Sequence, residues 1–148
     1  MTFGPGVMIR CDFRRHEHHS RPLDPDPVWF DCSAARLTEA VVLGIAIVNP
    51  IVIAELSRNF SDVAEILTKL ETLDVEVEPL DVGSAFTAGK RFQQSRRGRE
   101  PGENNRVLPD FLIGAHALTL EVPLLTRDPR LYRRYFPDLN LITPETHP

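Results

Sequence analysis

Cysteine is scarce in this chain. Cys11 and Cys32 are the only two, and neither belongs to a Cys-x-x-Cys pair. That excludes a disulfide framework and a cysteine zinc site. A reduced, cytoplasmic setting is the expectation. Long apolar runs are missing as well. No stretch approaches the roughly 18 apolar residues of a membrane-spanning helix, so no membrane association is expected. Met1 to Ile9 is too short and too weakly apolar to be the core of a secretory signal. Excess positive charge is also absent. The net charge is −4, so a polyanion would have to be held by local basic patches rather than by the field of the whole protein. No internal repeat and no linker divides the chain. What is present is 148 residues, 42% of them hydrophobic, which is the composition of one globular domain with its own core.

Strand-like and helix-like patterns alternate. Val7, Met8 and Ile9 read as a first strand. Phe13 to Asp26 interrupts the pattern, being first basic and His-rich and then Pro-rich. From Val28 onward Phe30, Ala34, Leu37 and Val41 recur at helical spacing, with Gly44 as a stop. Ile45 to Val48 predicts a buried strand. Asn49-Pro50 then predicts a helix, with Asn as cap and Pro in the first turn. Ser61-Asp62 caps a further helix with Val63, Ile66, Leu67 and Leu70 on one face. Val75 to Glu78 alternates as a half-exposed strand does. Val82 to about Arg97 predicts a helix, Gly98 to Asn105 a polar loop, and Pro109-Asp110 the start of a helix apolar nearly all round. Leu124 to Thr126 predicts a core strand, Asp128-Pro129 a turn or short helix, and Leu139 to Ile142 a last strand. This order implies an α/β fold: a central parallel sheet of four to five strands with helices on both faces.

Acids interrupt the most apolar stretches. Glu55 lies in Asn49-Pro50-Ile51-Val52-Ile53-Ala54-Glu55-Leu56, Asp110 opens Asp110-Phe111-Leu112-Ile113-Gly114, and Asp128 follows Leu124-Leu125-Thr126-Arg127. A carboxylate withdrawn from water is normally paired, protonated or bound to a metal. Ligands of parallel sheets sit beyond the carboxyl ends of the strands. Asp12 follows the first strand, Asp128 follows a late one, and Asp110 stands at a helix N-terminus. The four acids are therefore expected to converge on one sheet edge and hold a divalent cation.

Asn49 to Ser57, Leu108 to Ala117 and Leu124 to Asp128, in that order, resemble PIN-domain ribonucleases. The likeness is strongest to VapC-like toxins of bacterial toxin–antitoxin pairs, and Tyr132-Arg133-Arg134-Tyr135-Phe136-Pro137 shares it. The resemblance runs from about Val28 to Ile142. It implies a single PIN-like domain over 1–148, with 13–26 as an atypical segment. It also implies a Mg²⁺- or Mn²⁺-dependent endoribonuclease, an antitoxin partner, an RNA substrate and a homodimer. Catalytic positions carried over by motif are Glu55, Asp110 and Asp128; Asp12 joins them by position. Metal ligands would be Asp12, Asp110 and Asp128, with Glu55 binding metal or orienting the attacking water. Thr126 would hydrogen-bond a neighbouring carboxylate, and Arg127 would contact phosphate.

The chain departs from this pattern after Asp12. Phe13-Arg14-Arg15-His16-Glu17-His18-His19-Ser20-Arg21 has neither the small polar residues nor the apolar helical face found there in the family. This departure motivates the alternative of a degenerate domain that binds antitoxin or RNA without cleaving. His16, His18 and His19 have no distant Cys or His partners at zinc spacing, so a solvated basic segment is the reading. His116 reads as a satisfied histidine of the core or pocket wall. Lys90, Arg91, Arg96, Arg97 and Arg99 form either a charged face or a track for RNA backbone. A receiver-type signalling domain also gathers acids beside a parallel sheet. It would need an acidic pair after the first strand and a late Lys, where this chain offers Asp12 alone and Arg127.

Overall fold

The computed structural model describes residues 6–10, 13–15, 28–30, 45–97, 108–126 and 128–143. Asp12, Arg127, both cysteines, the His16 to His19 cluster and the loop from Gly98 to Asn105 lie outside the described residues.

Five parallel strands form the central sheet. They are β1 (Gly6–Arg10), β4 (Ile45–Val48), β5 (Val75–Val77), β6 (Leu124–Thr126) and β7 (Leu141–Ile142), in spatial order β5-β4-β1-β6-β7. β1 is central and pairs with β4 and β6 on its two sides. Its core residues Val7, Met8 and Ile9 are buried on both faces, as parallel strands under helices are. A two-stranded antiparallel pair, β2 (Phe13–Arg15) and β3 (Val28–Phe30), forms a separate sheet. Val28–Phe30 is a strand paired with Phe13–Arg15, so Phe30 does not open a helix, while Ala34, Leu37, Val41 and Gly44 of the expected helix lie outside the described residues. A non-local partner of this kind leaves no mark in local periodicity.

Helix α1 (Pro50–Leu56) follows β4, and α2 (Val63–Thr72) leads into β5. Helices α3 (Val82–Arg97) and α4 (Leu108–Leu120) lie between β5 and β6, and α5 (Arg130–Tyr135) between β6 and β7. Right-handed crossovers that run in opposite directions along a sheet fall on opposite faces. The topology therefore sets α1 and α2 against one face and α3 to α5 against the other. On the second face Phe111 of α4 meets Phe92 of α3 edge-on at 5.7 Å, and Phe136 beyond α5 at 5.3 Å. Gly114 lets α5 approach. A Cβ there would stand 2.9 Å from the Tyr132 ring and 3.2 Å from that of Phe136.

Local chemistry sets the helix ends. The Asn49 side chain accepts the N–H groups of Ile51 (3.0 Å) and Val52 (3.1 Å), with Pro50 in the first turn. Asp62 accepts from Glu65 N–H at 2.8 Å, while the Glu65 carboxylate reaches back to Ser61 N–H at 2.9 Å. Helix α4 stops without a glycine. Glu121 takes a left-handed φ of 57°, and the N–H groups of Val122 and Glu121 return to the carbonyls of Ala117 and Leu118. That is the Schellman arrangement, completed by the buried Val122. Among the described residues no helix is long and apolar enough to cross a membrane.

Candidate active site

The carboxyl end of β1 is Arg10, in register with Thr126 at the end of β6. Two distant helices bring acids to it. Arg10 Nη2 donates to Glu55 Oε2 at 3.0 Å, and Nη1 forms an ion pair with Asp110 Oδ1. Nη1 also lies 3.4 Å from the Tyr132 hydroxyl, which donates to the backbone carbonyl of Asp110 at 3.1 Å. Side-chain exposure is 17% for Arg10, 34% for Glu55 and 21% for Asp110. The cluster is a half-sheltered notch rather than a sealed cavity. Glu55 reaches it because Val52 and Leu56 take the buried face of α1. Asp110 reaches it from the first turn of α4, where the helix dipole favours negative charge.

Asp128 is placed differently. It follows β6 at the same sheet edge, but its side chain is 72% exposed and accepts from Arg130 Nε at 3.3 Å. Among the described contacts nothing joins it to Glu55 or Asp110. Thr126 bonds the Asp128 backbone, not a carboxylate: its oxygen accepts the Asp128 N–H at 3.2 Å. Asp12 and Arg127 lie outside the described residues. Two of the four expected acids are thus seen together, and the group that joins them is a cation. Sequence reasoning missed Arg10. Its signal was a lone charge ending an otherwise apolar strand.

Among the described residues, no three His, Cys, Asp or Glu side chains gather to hold a metal ion. The donor chemistry nevertheless suits a hard cation. Two carboxylates already share one positive charge, so the guanidinium stands in for such an ion.

A second polar network joins the helices that carry the two acids. His116, buried in α4, lies 3.2 Å by its Nδ1 from the Asn49 amide nitrogen. Because Asn49 Oδ1 caps α1, the amide end must donate, so Nδ1 accepts and the ring proton sits on Nε2. Nε2 faces Asp81 Oδ1 at 3.9 Å. Burial pushes the His116 pKa below its ordinary value, with Asp81 and Glu78 pulling weakly the other way. Asp81 is itself held below the usual carboxylate range by the Ser84 hydroxyl (2.5 Å) and the Ser84 N–H (2.9 Å). His116 is therefore a neutral core histidine that links the start of α1 to α4.

The basic stretch on α3 is mostly engaged in packing. Arg91 grips Asp138 through two 2.8 Å bonds and the Tyr135 carbonyl at 3.1 Å, and stacks over Phe136. The hydrogen bonds to Asp138 raise the Arg91 pKa and lower that of Asp138. Lys90 and Arg96 lie over the rings of Phe86 and Phe92. Arg99 is outside the described residues.

Comparison with solved structures finds the same architecture elsewhere. VapBC2 from Rickettsia felis, solved bound to a DNA fragment from its promoter, superposes with a TM-score of 0.53. Its identity is 22%, over 74% of this chain and 82% of that one. FitAcB from Neisseria gonorrhoeae superposes with a TM-score of 0.52 at 18% identity, over 94% of this chain and 98% of that one. At such identities the likeness speaks for the fold. No curated protein sequence matches the chain. The PIN-domain family model matches residues 30–137, which span both acids of the notch and strands β4, β5 and β6, and the chain belongs to the PIN-domain family.

Proposed function

We propose that the protein is the toxin of a toxin–antitoxin pair, an endoribonuclease that hydrolyses RNA phosphodiester bonds with Mg²⁺ or Mn²⁺. The observation that carries this reading is the meeting of Glu55 and Asp110 on one cation at the carboxyl edge of a PIN sheet. The likeness to VapBC2 and FitAcB supports an antitoxin partner. A homodimer, a cytoplasmic location and a single domain over 1–148 complete the reading.

Asp110 and Glu55 would hold the ion, with Asp128 proposed from the motif and Asp12 by position as the further ligands. When bound, the metal would acidify a water and neutralise charge on the phosphate. Tyr132 fixes the backbone of Asp110 and so the direction of its carboxylate. Asn49 fixes the first turn of α1 and so the position of Glu55.

The test is cleavage of a mixed-sequence RNA by the full chain with Mg²⁺ or Mn²⁺, beside Asp110→Asn. The expected loss in the variant is at least about 100-fold, as for removal of a group that stabilises transition-state charge. Cleavage that persists in the variant would refute the site assignment. Arg10 lying on both carboxylates favours a second reading, a PIN domain that binds antitoxin or RNA without cutting. No cleavage by the parent at any metal concentration would select it.

A further inference from the structure

We infer that Arg10 is a built-in counter-cation that competes with the divalent metal for Glu55 and Asp110. The inference rests on the proposed reading of these acids as metal ligands. Arg10 ends the central strand of the sheet: Val7, Met8 and Ile9 before it are buried, and its backbone pairs with β6 through Thr126. Its guanidinium cannot drift away with a loop. It is aimed at the point between the two acids, bonding Glu55 with one terminal nitrogen and Asp110 with the other.

A guanidinium keeps its charge at every working pH and presents donors in a planar fork suited to carboxylates. A metal ion entering the notch must break both contacts. It must also tolerate a positive charge nearby unless the side chain swings out. The strand need not move, because the arginine stem is long and flexible. Metal loading and arginine occupancy therefore exclude each other at the same two oxygens. In the free protein one guanidinium offsets part of the negative charge of the two acids.

The test uses the full chain and Mn²⁺ alone, without RNA. Calorimetric titration and thermal melting are run on the parent, Arg10→Gln, Arg10→Lys and the double variant Arg10→Gln with Asp110→Asn. Arg10→Gln should bind Mn²⁺ at least about tenfold more tightly than the parent, equivalent to about 1.4 kcal/mol. It should melt lower than the parent without metal, and added Mn²⁺ should raise its Tm more than the parent's. Arg10→Lys, a point charge able to satisfy one acid at a time, should fall between them, and it serves if the Gln variant does not fold. The double variant should lose the gain in affinity. Equal Mn²⁺ affinity in parent and Arg10→Gln, abolished in the double variant, would overturn the competition and leave the metal-site reading standing. No Mn²⁺ binding by any form would overturn both.

Discussion

Removing the Asn49 side chain tests how the candidate site is built. This one residue, fully buried, makes two kinds of bond. Its oxygen caps α1 through Ile51 and Val52, and its nitrogen donates to His116. Asn49→Ala deletes both. A lost cap costs about 1 kcal/mol, within a range of about 0.5–2. The His116 Nδ1 left unpaired in the core costs a further ~1–3 kcal/mol. The sum is about 2–4 kcal/mol, a large part of the ~5–15 kcal/mol stability of an ordinary domain. Asn49→Ser keeps an oxygen for the cap and loses the amide donor, so it should forfeit mainly the second contribution. Asn49→Asp keeps the cap but turns an acceptor toward Nδ1. His116 must then place a proton there, and its pKa rises. A smaller depression of the folded pKa means a smaller loss of stability on acidification, so Asn49→Asp should lose less stability than the parent as pH falls from neutral. The assay is urea unfolding at several pH values, read from midpoints at constant slope. At pH 7 the expected order is parent, then Ser, then Ala. An Ala variant within about 0.5 kcal/mol of the parent, the scatter of ordinary surface changes, would refute the reasoning.

Two further outcomes follow from the packing around α4. Gly114→Ala would gain about 1 kcal/mol of helix propensity but drive a methyl into the buried Tyr132 and Phe136 rings, an overpacking cost of about 1–3 kcal/mol. Net destabilisation in urea unfolding is expected, and a stabilised variant would show that α5 yields freely. His116 is held neutral in the fold by burial, so the unfolded chain takes up its proton first as pH falls below about 6.5. The parent should lose stability from there downward more steeply than His116→Gln, and parallel curves between pH 7 and 5 would sink that account.

The starts of the helices were legible in the sequence because caps are local. Asn49-Pro50 and Asp62 place their bonds within three residues, and both helices begin there. The end of α4 was not legible, since Glu121 adopts the left-handed turn that a glycine would have announced. The amphipathic reading of α2 was half right in energetic terms. Ile66 and Leu70 are buried, whereas Val63 and Leu67 on the same stripe are exposed, and α2 leads into the edge strand β5. Glu55 and Asp110 were found because an acid among apolar residues is conspicuous. Their degree of burial was overread: apolar neighbours belong to the opposite face of the same helix, and the carboxylates themselves stay partly in water. Which cation they share could not be read at all, because Arg10 is far from both in sequence.

That shared cation reverses the meaning of an acid-to-amide change in the metal-free protein. In an empty metal site, neighbouring carboxylates repel one another, and neutralising one relieves the fold. Around Arg10 the same change removes one of the two carboxylates that the guanidinium holds, and leaves it a poorer acceptor in that place. All three groups are sheltered enough that solvent screens them only in part. Breaking a fully buried pair costs about 3–5 kcal/mol, and an exposed pair is worth ~0–1, so this notch falls between. Asp110→Asn should therefore lower metal-free stability by about 1–2 kcal/mol. A rise in stability would mean that in solution the acids face each other and not Arg10. The sign of one unfolding measurement, made without any metal or RNA, thus separates a centre built around its own arginine from one that waits for an ion.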